Sequence, residues 1–450
     1  MPKLKKVPVF IALAIVTGCN TASQKSDISA SIPSHPLEDS PDLDVLVDRI
    51  GDSRVVLLGE ASHGTAEYYD WRAEITKRLI AEKGFTIIGV EGEWADSYRV
   101  NQFVKGPLRD AAAAESVLRY YDRWPTWMWA NYHIAELTTW LNNYNHGKAD
   151  KQKAGFYGLD VYCLWESMGE LMPYIKDDPK LTQMAQEVNN CFRPYSADPI
   201  QYSVALAGAS PTCSAQTQAV YQAVMNRTQN KTASTEADFV MQQNALVALN
   251  AESYFRAVIK SDVQSWNIRD RHMMQTIKRL LDFHGPGSKM IIWEHNTHVG
   301  DARYTDMAAG GMVNVGQLVR EEYGRENVFI VGFGSYRGKV IAAESWGAKV
   351  RTMTVPRARK DSWEELLHRG GEHDRMLFSD EIRKIPQLMK PMGHRAIGVQ
   401  YNPFYESGNY VPTIIPDRYD AFLFIDETSA LRPIEIDARN EPPDTYPSGY

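Results

Sequence analysis

Val55-Val56-Leu57-Leu58-Gly59-Glu60-Ala61-Ser62-His63-Gly64 is the stretch whose reading decides the fold. Four apolar residues in a row, two of them β-branched, read as a strand buried on both faces, the habit of strands in a parallel sheet. The chain then delivers Glu60 and His63 and turns at Gly64, and turn glycines let the backbone approach a ligand closely. Far downstream, Met290-Ile291-Ile292 runs in the same way into Trp293-Glu294-His295-Asn296-Thr297-His298. In an open α/β sheet ligands bind in the crevice beyond the carboxyl ends of the strands. Three histidines and at least two carboxylates delivered to that edge predict a hydrolytic site.

Around these anchors the pattern alternates. Strands are expected at 54–59, 85–90 and 154–158, and helices at 66–82, 95–104 and 126–145. Strands spaced by helices of this length predict an α/β fold, a mostly parallel sheet core flanked by helices with right-handed crossovers. Between about 164 and 283 the strand signal disappears, and 164–175, 181–191, 215–225, 237–259 and 265–283 read as helices. A run this long, punctuated only at its joints, predicts a large helical insertion forming a lid over the active-site cleft. Sheet structure is expected again at 289–293, 327–332, 339–343, 395–400 and 421–425, leaving 436–450 as a C-terminal tail.

A chain of 450 residues that is 44% hydrophobic is long enough for one large domain or two moderate ones. Its net charge is −7, with no basic block after the first few residues, which argues against nucleic acid as a partner. Eleven Trp, 23 Tyr and 14 Phe supply rings of the kind that line pockets for bulky or sugar-like ligands, although ordinary packing accounts for most of them. No repeat, low-complexity tract or membrane-spanning helix is found beyond the N-terminus.

The N-terminus reads as an address. Lys3, Lys5 and Lys6 precede a short apolar run at 7–16, and Val16-Thr17-Gly18-Cys19 supplies small residues before a cysteine. These are signal-peptide proportions, too short to span a bilayer. Val-Thr-Gly-Cys resembles a bacterial lipobox, so 1–18 is expected to be a lipoprotein signal peptide and Cys19 the lipidated residue; a plain secretory signal is the rival. Residues 19–42, rich in Ser, Pro and Asp, read as a flexible tether. The expected location is the cell envelope, on the periplasm-facing side of the outer membrane. Cys163, Cys191 and Cys213 leave either one disulfide, with Cys191–Cys213 as the pairing considered, or three free buried thiols.

The candidate site rests on chemistry at strand ends. Glu60 ends one strand, and His63, in the turn before a helix N-terminus that favours negative charge, suits a base titrating near neutrality. The bland alternative for a lone loop histidine is a capping role. Glu91 ends the second strand at the same edge, and two neighbouring carboxylates push at least one pKa upward; a solvated strand-end glutamate is its alternative. His295 and His298, three apart, point the same way if they occupy a helical turn, toward a metal or a substrate oxygen. Asp160 also follows a strand and is placed to orient a histidine. Arg269, Asp270 and His272 face the pocket from the lid, or form ordinary helix-surface ion pairs. Other templates fail: no Gly-x-Ser-x-Gly elbow, His-Glu-x-x-His, Walker loop or dinucleotide fingerprint appears.

The motifs 59–64, Arg72, Val90-Glu91 and Glu294-His295-Asn296-Thr297-His298 resemble the erythromycin esterase family, macrolide esterases with succinoglycan biosynthesis-type homologues. So do Phe156-Tyr157-Gly158-Leu159-Asp160, Leu164-Trp165 with Ser167-Met168, Asn267-Ile268-Arg269-Asp270, Arg395-Ala396-Ile397-Gly398-Val399 and Tyr419-Asp420-Ala421. The match runs in order over most of 44–435, giving a catalytic domain at 43–435. The resemblance implies hydrolysis of a macrolide lactone ester by an activated water, an antibiotic-resistance activity, without a covalent enzyme intermediate. On that pattern His63 is the base, Glu60 holds the base or the water, and Arg72 and Glu91 support them. His295 and His298 stabilise the oxyanion or protonate the leaving alkoxide, and Asp160 and Arg269 bind substrate. Glu294, charged where relatives often have a small residue, either tunes the histidines or faces outward.

No cofactor and no metal are expected, and the partner is a small-molecule ester. A divalent metal held by Glu60, His63, Glu91, His295 and His298 in a metallohydrolase or peptidase is the second reading. A non-catalytic ligand- or haem-binding envelope lipoprotein is the third.

Overall fold

In the computed structural model, residues 28–436 are described, apart from 196–197, 209 and 229–234. The signal peptide, Cys19 and nearly all of the C-terminal tail therefore lie outside the described residues. In chain order the strands are β1 (His35–Pro36), β2 (Val55–Leu58), β3 (Ile87–Glu93), β4 (Gly155–Asp160), β5 (Met290–Trp293), β6 (Val328–Ala342), β7 (Arg351–Val355), β8 (Arg375–Phe378), β9 (Met392–Arg395), β10 (Tyr410–Thr413) and β11 (Ala421–Thr428). Among the described residues, β9 and β10 form a separate antiparallel ribbon, and the other nine form one sheet of order β1-β8-β11-β6-β2-β5-β3-β4, with β7 on the far end of β6. From β11 across to β4 every pairing is parallel; β1, β8 and β7 join antiparallel.

Both faces of this sheet are covered, which is why its central strands show no polar alternation. Val56, Leu58, Ile88, Val90, Ile291 and Trp293 project to one face with Ile75, Leu79 and Leu137. These last three come from α1 (Ala66–Lys83), which follows β2, and from α3 (Tyr132–Asn145), which precedes β4; α2 (Trp94–Lys105) follows β3. Val55, Leu57, Ile87, Leu159, Met290 and Ile292 project to the opposite face against Ile277, Leu281 and Val319. The period of two between these sets is that of a strand.

The helical block comprises α4 (Leu164–Ile175), α5 (Pro179–Phe192), α6 (Pro199–Ala207), α7 (Ser214–Thr228), α8 (Glu236–Val258) and α9 (Asp262–His284). It has its own core around Leu171, Val188, Tyr202, Val224 and Tyr254. A Cys191–Cys213 disulfide ties α5 to the residue before α7, and Cys163 is free and buried. Helix α6 escapes the sequence pattern, yet its start is well marked: Asp198 caps the Ile200 and Gln201 amides and Pro199 occupies the first turn. A further helix, α10 (Val315–Tyr323), packs beside α9.

Three expectations need correction. The described part of the tether, 28–42, is docked: His35 and Pro36 pair with β8, and Ile32 and Leu37 are buried. Two apolar side chains among many polar ones were enough to bind a stretch whose composition suggested a linker. The strands expected at 327–332 and 339–343 are one strand, β6, whose glycine-rich middle dilutes the apolar signal although β11 pairs along it to Gly338. The strand expected at 395–400 ends at Arg395; beyond it Ile397 and Gln400 make single bridges to Ser62 and Ala343.

Gly64 is where the fold fixes the first motif. Its carbonyl accepts from the Ile341 amide at 3.0 Å and the Leu431 amide at 2.9 Å, joining the turn to β6 and the C-terminal segment. A Cβ at Gly64 would lie 1.9 Å from the Ile341 carbonyl oxygen, backbone that has nowhere to go. Gly64→Ala is expected to lower stability by roughly 1–3 kcal/mol, read as a lower urea midpoint at unchanged slope.

Candidate active site

Matched register sets the site. Leu58 stands beside Trp293, Trp293 beside Val90, and Val90 beside Gly158, so the residues that follow these four positions emerge side by side. The β3–β4 pairing shifts between Val90 and Glu93, and such bulges re-aim side chains. Trp129 Nε1 donates to the Glu91 carbonyl there at 2.8 Å.

The first half of the site is a chain of three groups. Glu60 Oε1 meets His63 Nδ1 at 2.9 Å, and Glu60 Oε2 accepts from Arg72 Nη2 at 2.5 Å. Glu60 and His63 are each 2% exposed and Arg72 is fully buried, its guanidinium lying over the Tyr69 and Trp293 rings. A buried charge needs a partner, and each member of this chain supplies one. With Nδ1 committed to a carboxylate, the free ring nitrogen of neutral His63 is Nε2, a proton acceptor.

Arg269, from α9, is the hub of the second half. It donates to both oxygens of Asp160, at 3.0 and 2.7 Å, to Glu91 Oε1 at 2.7 Å, and through Nη1 to His298 Nε2 at 3.0 Å. An arginine has no lone pair to offer, so His298 Nε2 is the acceptor and its proton sits on Nδ1, facing Asp270 at 3.0 Å. The His298 ring stacks on Trp266 at 4.4 Å between centroids. Glu91 Oε2 accepts the His295 amide at 2.8 Å. Burial pushes Glu91 upward, but the groups around it, the Arg269 guanidinium and the His295 amide among them, outweigh burial and hold it well below the usual carboxylate range. Arg269 alone guarantees a permanent charge there.

His295 lies between the halves. Its ring is 4.9 Å from that of His63, and its Nδ1 faces the Thr297 hydroxyl at 2.8 Å and amide at 3.3 Å. Burial keeps it well below the usual histidine range and therefore neutral. Because Nδ1 accepts from the Thr297 amide, the ring proton of neutral His295 is on Nε2, which has no well-aligned partner among the described residues.

His63, Glu91, Asp160 and Arg269 line a cleft of about 760 Å³, its open side included. Its walls are aromatic: Tyr121, Trp129, Tyr162, and the half-buried pair Trp124 and Trp346, whose centroids are 4.5 Å apart. Glu60, Arg72, His295 and His298 stand behind this lining. The structure thus brings Glu60, His63, Arg72, Glu91, Asp160, Arg269, His295 and His298 into one network, with Asp270. His272 stays outside: its Nδ1 meets Asn250 Nδ2 at 2.9 Å, and burial pulls it down to about 4.

The sequence reading missed Thr297, Trp266 and the aromatic walls. Trp266 was findable, since 266, 269 and 270 share one helix face at i, i+3 and i+4. The idea that Glu294 faces outward is corrected: it is fully buried, with neither carboxylate oxygen partnered among the described residues. Burial, then Glu91, pushes its pKa well above the usual carboxylate range, which favours the protonated acid. A group whose folded pKa is raised contributes stability below its unfolded value, lost as pH rises toward the folded one. Glu294→Gln should therefore gain on the parent by about 1.4 kcal/mol for each pH unit above ~4.5, with no pH-dependent difference below it, measured by denaturant unfolding across pH.

The erythromycin esterase family model matches residues 80–428, beginning after the first motif. Over 130 residues the chain is 32% identical to "Erythromycin esterase type II" of Escherichia coli, an alignment spanning 28% of each protein. Among solved structures, a Bacillus cereus protein has a TM-score of 0.75 at 18% identity, covering 91% of this chain and 98% of that one. A succinoglycan biosynthesis protein gives 0.72 at 18%, covering 90% and 97%. A mutant of the erythromycin esterase EreC in its open conformation gives 0.64 at 19%, covering 89% and 97%. At these identities the structures speak for the fold, and the family match over most of the sheet and helical block decides the rest: the chain belongs to the erythromycin esterase family.

Proposed function

We propose that the chain, in a family of ester hydrolases, cleaves a bulky ester or macrolide-type lactone with a water activated by His63. The observation that carries this is the Arg72–Glu60–His63 chain, which leaves one imidazole nitrogen free on a residue lining an aromatic cleft. His63 Nε2 takes a proton from water as its oxygen bonds to the ester carbonyl carbon. The carbonyl oxygen becomes an oxyanion beside the Arg269 guanidinium, which lines the cleft. As the carbonyl re-forms, the C–O bond to the alcohol breaks, and the proton on His63 passes to the departing oxygen. The products are one acid and one alcohol group, and no enzyme bond is made.

Positioned base catalysis contributes ~10²–10⁴-fold, and each oxyanion donor ~10²–10³-fold. His298, whose Nε2 is occupied by Arg269, is assigned to holding that arginine, together with Glu91 and Asp160. Arg72 and Glu60 are positioning residues.

The same pairings support a reading without metal. A divalent ion at Glu91 or Asp160 would have to displace Arg269 from contacts at 2.7 Å. The Nδ1 atoms of His63 and His298 face Glu60 and Asp270. Apart from the Nε2 atoms of His63 and His295, these donors are already engaged with one another or with neighbouring groups.

Incubation with a panel of macrolides and envelope esters, followed by mass spectrometry, should find a substrate that gains one water. His63→Ala should lower that turnover by ~10²–10⁴-fold with unfolding behaviour preserved. Full activity in the variant would reject the base assignment, and loss of activity on chelation with stoichiometric metal in the purified protein would reject the metal-free one.

A further inference from the structure

Residues 349–360 hold five basic side chains and no acidic one, in a chain of net charge −7. The reading of the chain as free of basic blocks passes over this run, because Val350, Met353 and Val355 interleave with the charges. Strand β7 occupies its centre and, among the described residues, is an edge that pairs only with β6, where Lys339 stands opposite Thr354. Lys339, Lys349, Arg351, Arg357, Arg359 and Lys360 are all exposed. Arg351 pairs with Glu344, and Arg359 lies over the Tyr410 ring. Lys339, Lys349, Arg357 and Lys360 take part in no ion pair among the described residues. Unpaired cations on an exposed edge discourage strand addition, but that leaves their neighbours unexplained.

Beside β7 packs the turn Pro403–Gly408, which carries Phe404, 95% exposed, and Tyr405, 74% exposed. No other large apolar side chain in the described residues is as exposed. The carboxylate of that turn, Glu406, is engaged by Arg395 and Tyr401, so the aromatic tip presents no acid. This face continues into the cleft. Val399 and Trp346 line the cleft, Gln400 bridges Ala343, and Trp124 Nε1 donates to the carbonyl of Ala348, the residue before Lys349.

The start of the described chain is close by. Residues Ser29–Ser31 pack on the helix Trp363–Arg369, which follows Lys360 almost directly, and Arg359 and Arg369 line one shallow groove. That seven-residue helix is only ~10 Å long. Ile28 comes nine residues after Cys19, a separation that spans at most ~30 Å. A lipid on Cys19 is thus within reach of this face.

We propose that the Phe404–Tyr405 tip and the cationic edge at Lys339, Lys349, Arg357 and Lys360 form a docking surface for an anionic phospholipid bilayer. Aromatic rings settle at the headgroup level of a membrane, and cations beside them are drawn to anionic lipid. Stable anchoring takes two signals, an acyl chain plus a polybasic patch, and this patch is the second. Docked so, the cleft opens beside the bilayer and receives lipophilic esters from it.

The test uses the chain from residue 20 onward, so that neither the basic, apolar leader nor a lipid on Cys19 masks the face. It is sedimented with vesicles of phosphatidylglycerol mixed with phosphatidylcholine, and with phosphatidylcholine alone. Partition should favour the anionic vesicles by roughly several hundred-fold for the four cations, and Lys349→Gln with Arg357→Gln should reduce it ~25-fold, about fivefold for each cation removed. Phe404→Ser with Tyr405→Ser should weaken it several-fold at unchanged charge. All four positions are exposed or nearly so, and matching circular dichroism checks that the fold is kept. Equal partition on both vesicle types, or variants that bind like the parent, would overturn the proposal. So would binding to soluble polyphosphate as tight as to vesicles and indifferent to loss of the two rings. Partition is read without substrate, so its outcome is independent of the esterase reading.

Discussion

Four neighbouring parallel strands run in matched register, and the chemistry depends on that alignment. With Leu58, Trp293, Val90 and Gly158 side by side, the next few residues of each segment share one edge. A slip of one residue in any strand would turn its apolar set to the wrong face. Burial on both faces therefore fixes the register, and the register fixes where Glu60, Glu91, Asp160 and His295 appear.

Those groups are buried too, and burial of charge is tolerated only in pairs. Two guanidiniums carry the burden. Arg72 neutralises Glu60 from between two aromatic rings, and Arg269 neutralises Asp160 and Glu91 from the helical block. Their pairing decides where protons sit on the imidazoles: His63 is left with a free acceptor nitrogen, and His298 loses its own to Arg269. Breaking either pair strands a charge in a dry interior, which costs about 3–5 kcal/mol in typical cases. Glu294 has no such partner among the described residues, and burial favours its protonated form.

Much of this was legible from residues alone. The apolar runs at 55–58 and 290–293 announced buried parallel strands, and the charged residues after them announced the edge. Helices α4 and α8 showed their bounds through length and clear joints. What was hidden had specific causes. Short antiparallel strands such as β1, β7 and β8 carry too few residues for a pattern. Strand β6 hides behind its glycines, and the docking of 28–42 hangs on Ile32 and Leu37. Which imidazole nitrogen is free depends on partners distant in sequence, such as Arg269 for His298, and no spacing rule reports it. The family resemblance gathered the motifs correctly, while their division between cleft lining and support needed coordinates.

The central claim is that Glu60, fixed by Arg72, acts through His63 and not on the substrate. A double-mutant cycle on kcat/KM with Glu60→Gln and His63→Ala measures this directly. The account predicts strong non-additivity, the double variant being no slower than His63→Ala alone. Losses that multiply would show that the two residues act independently, and would contradict it.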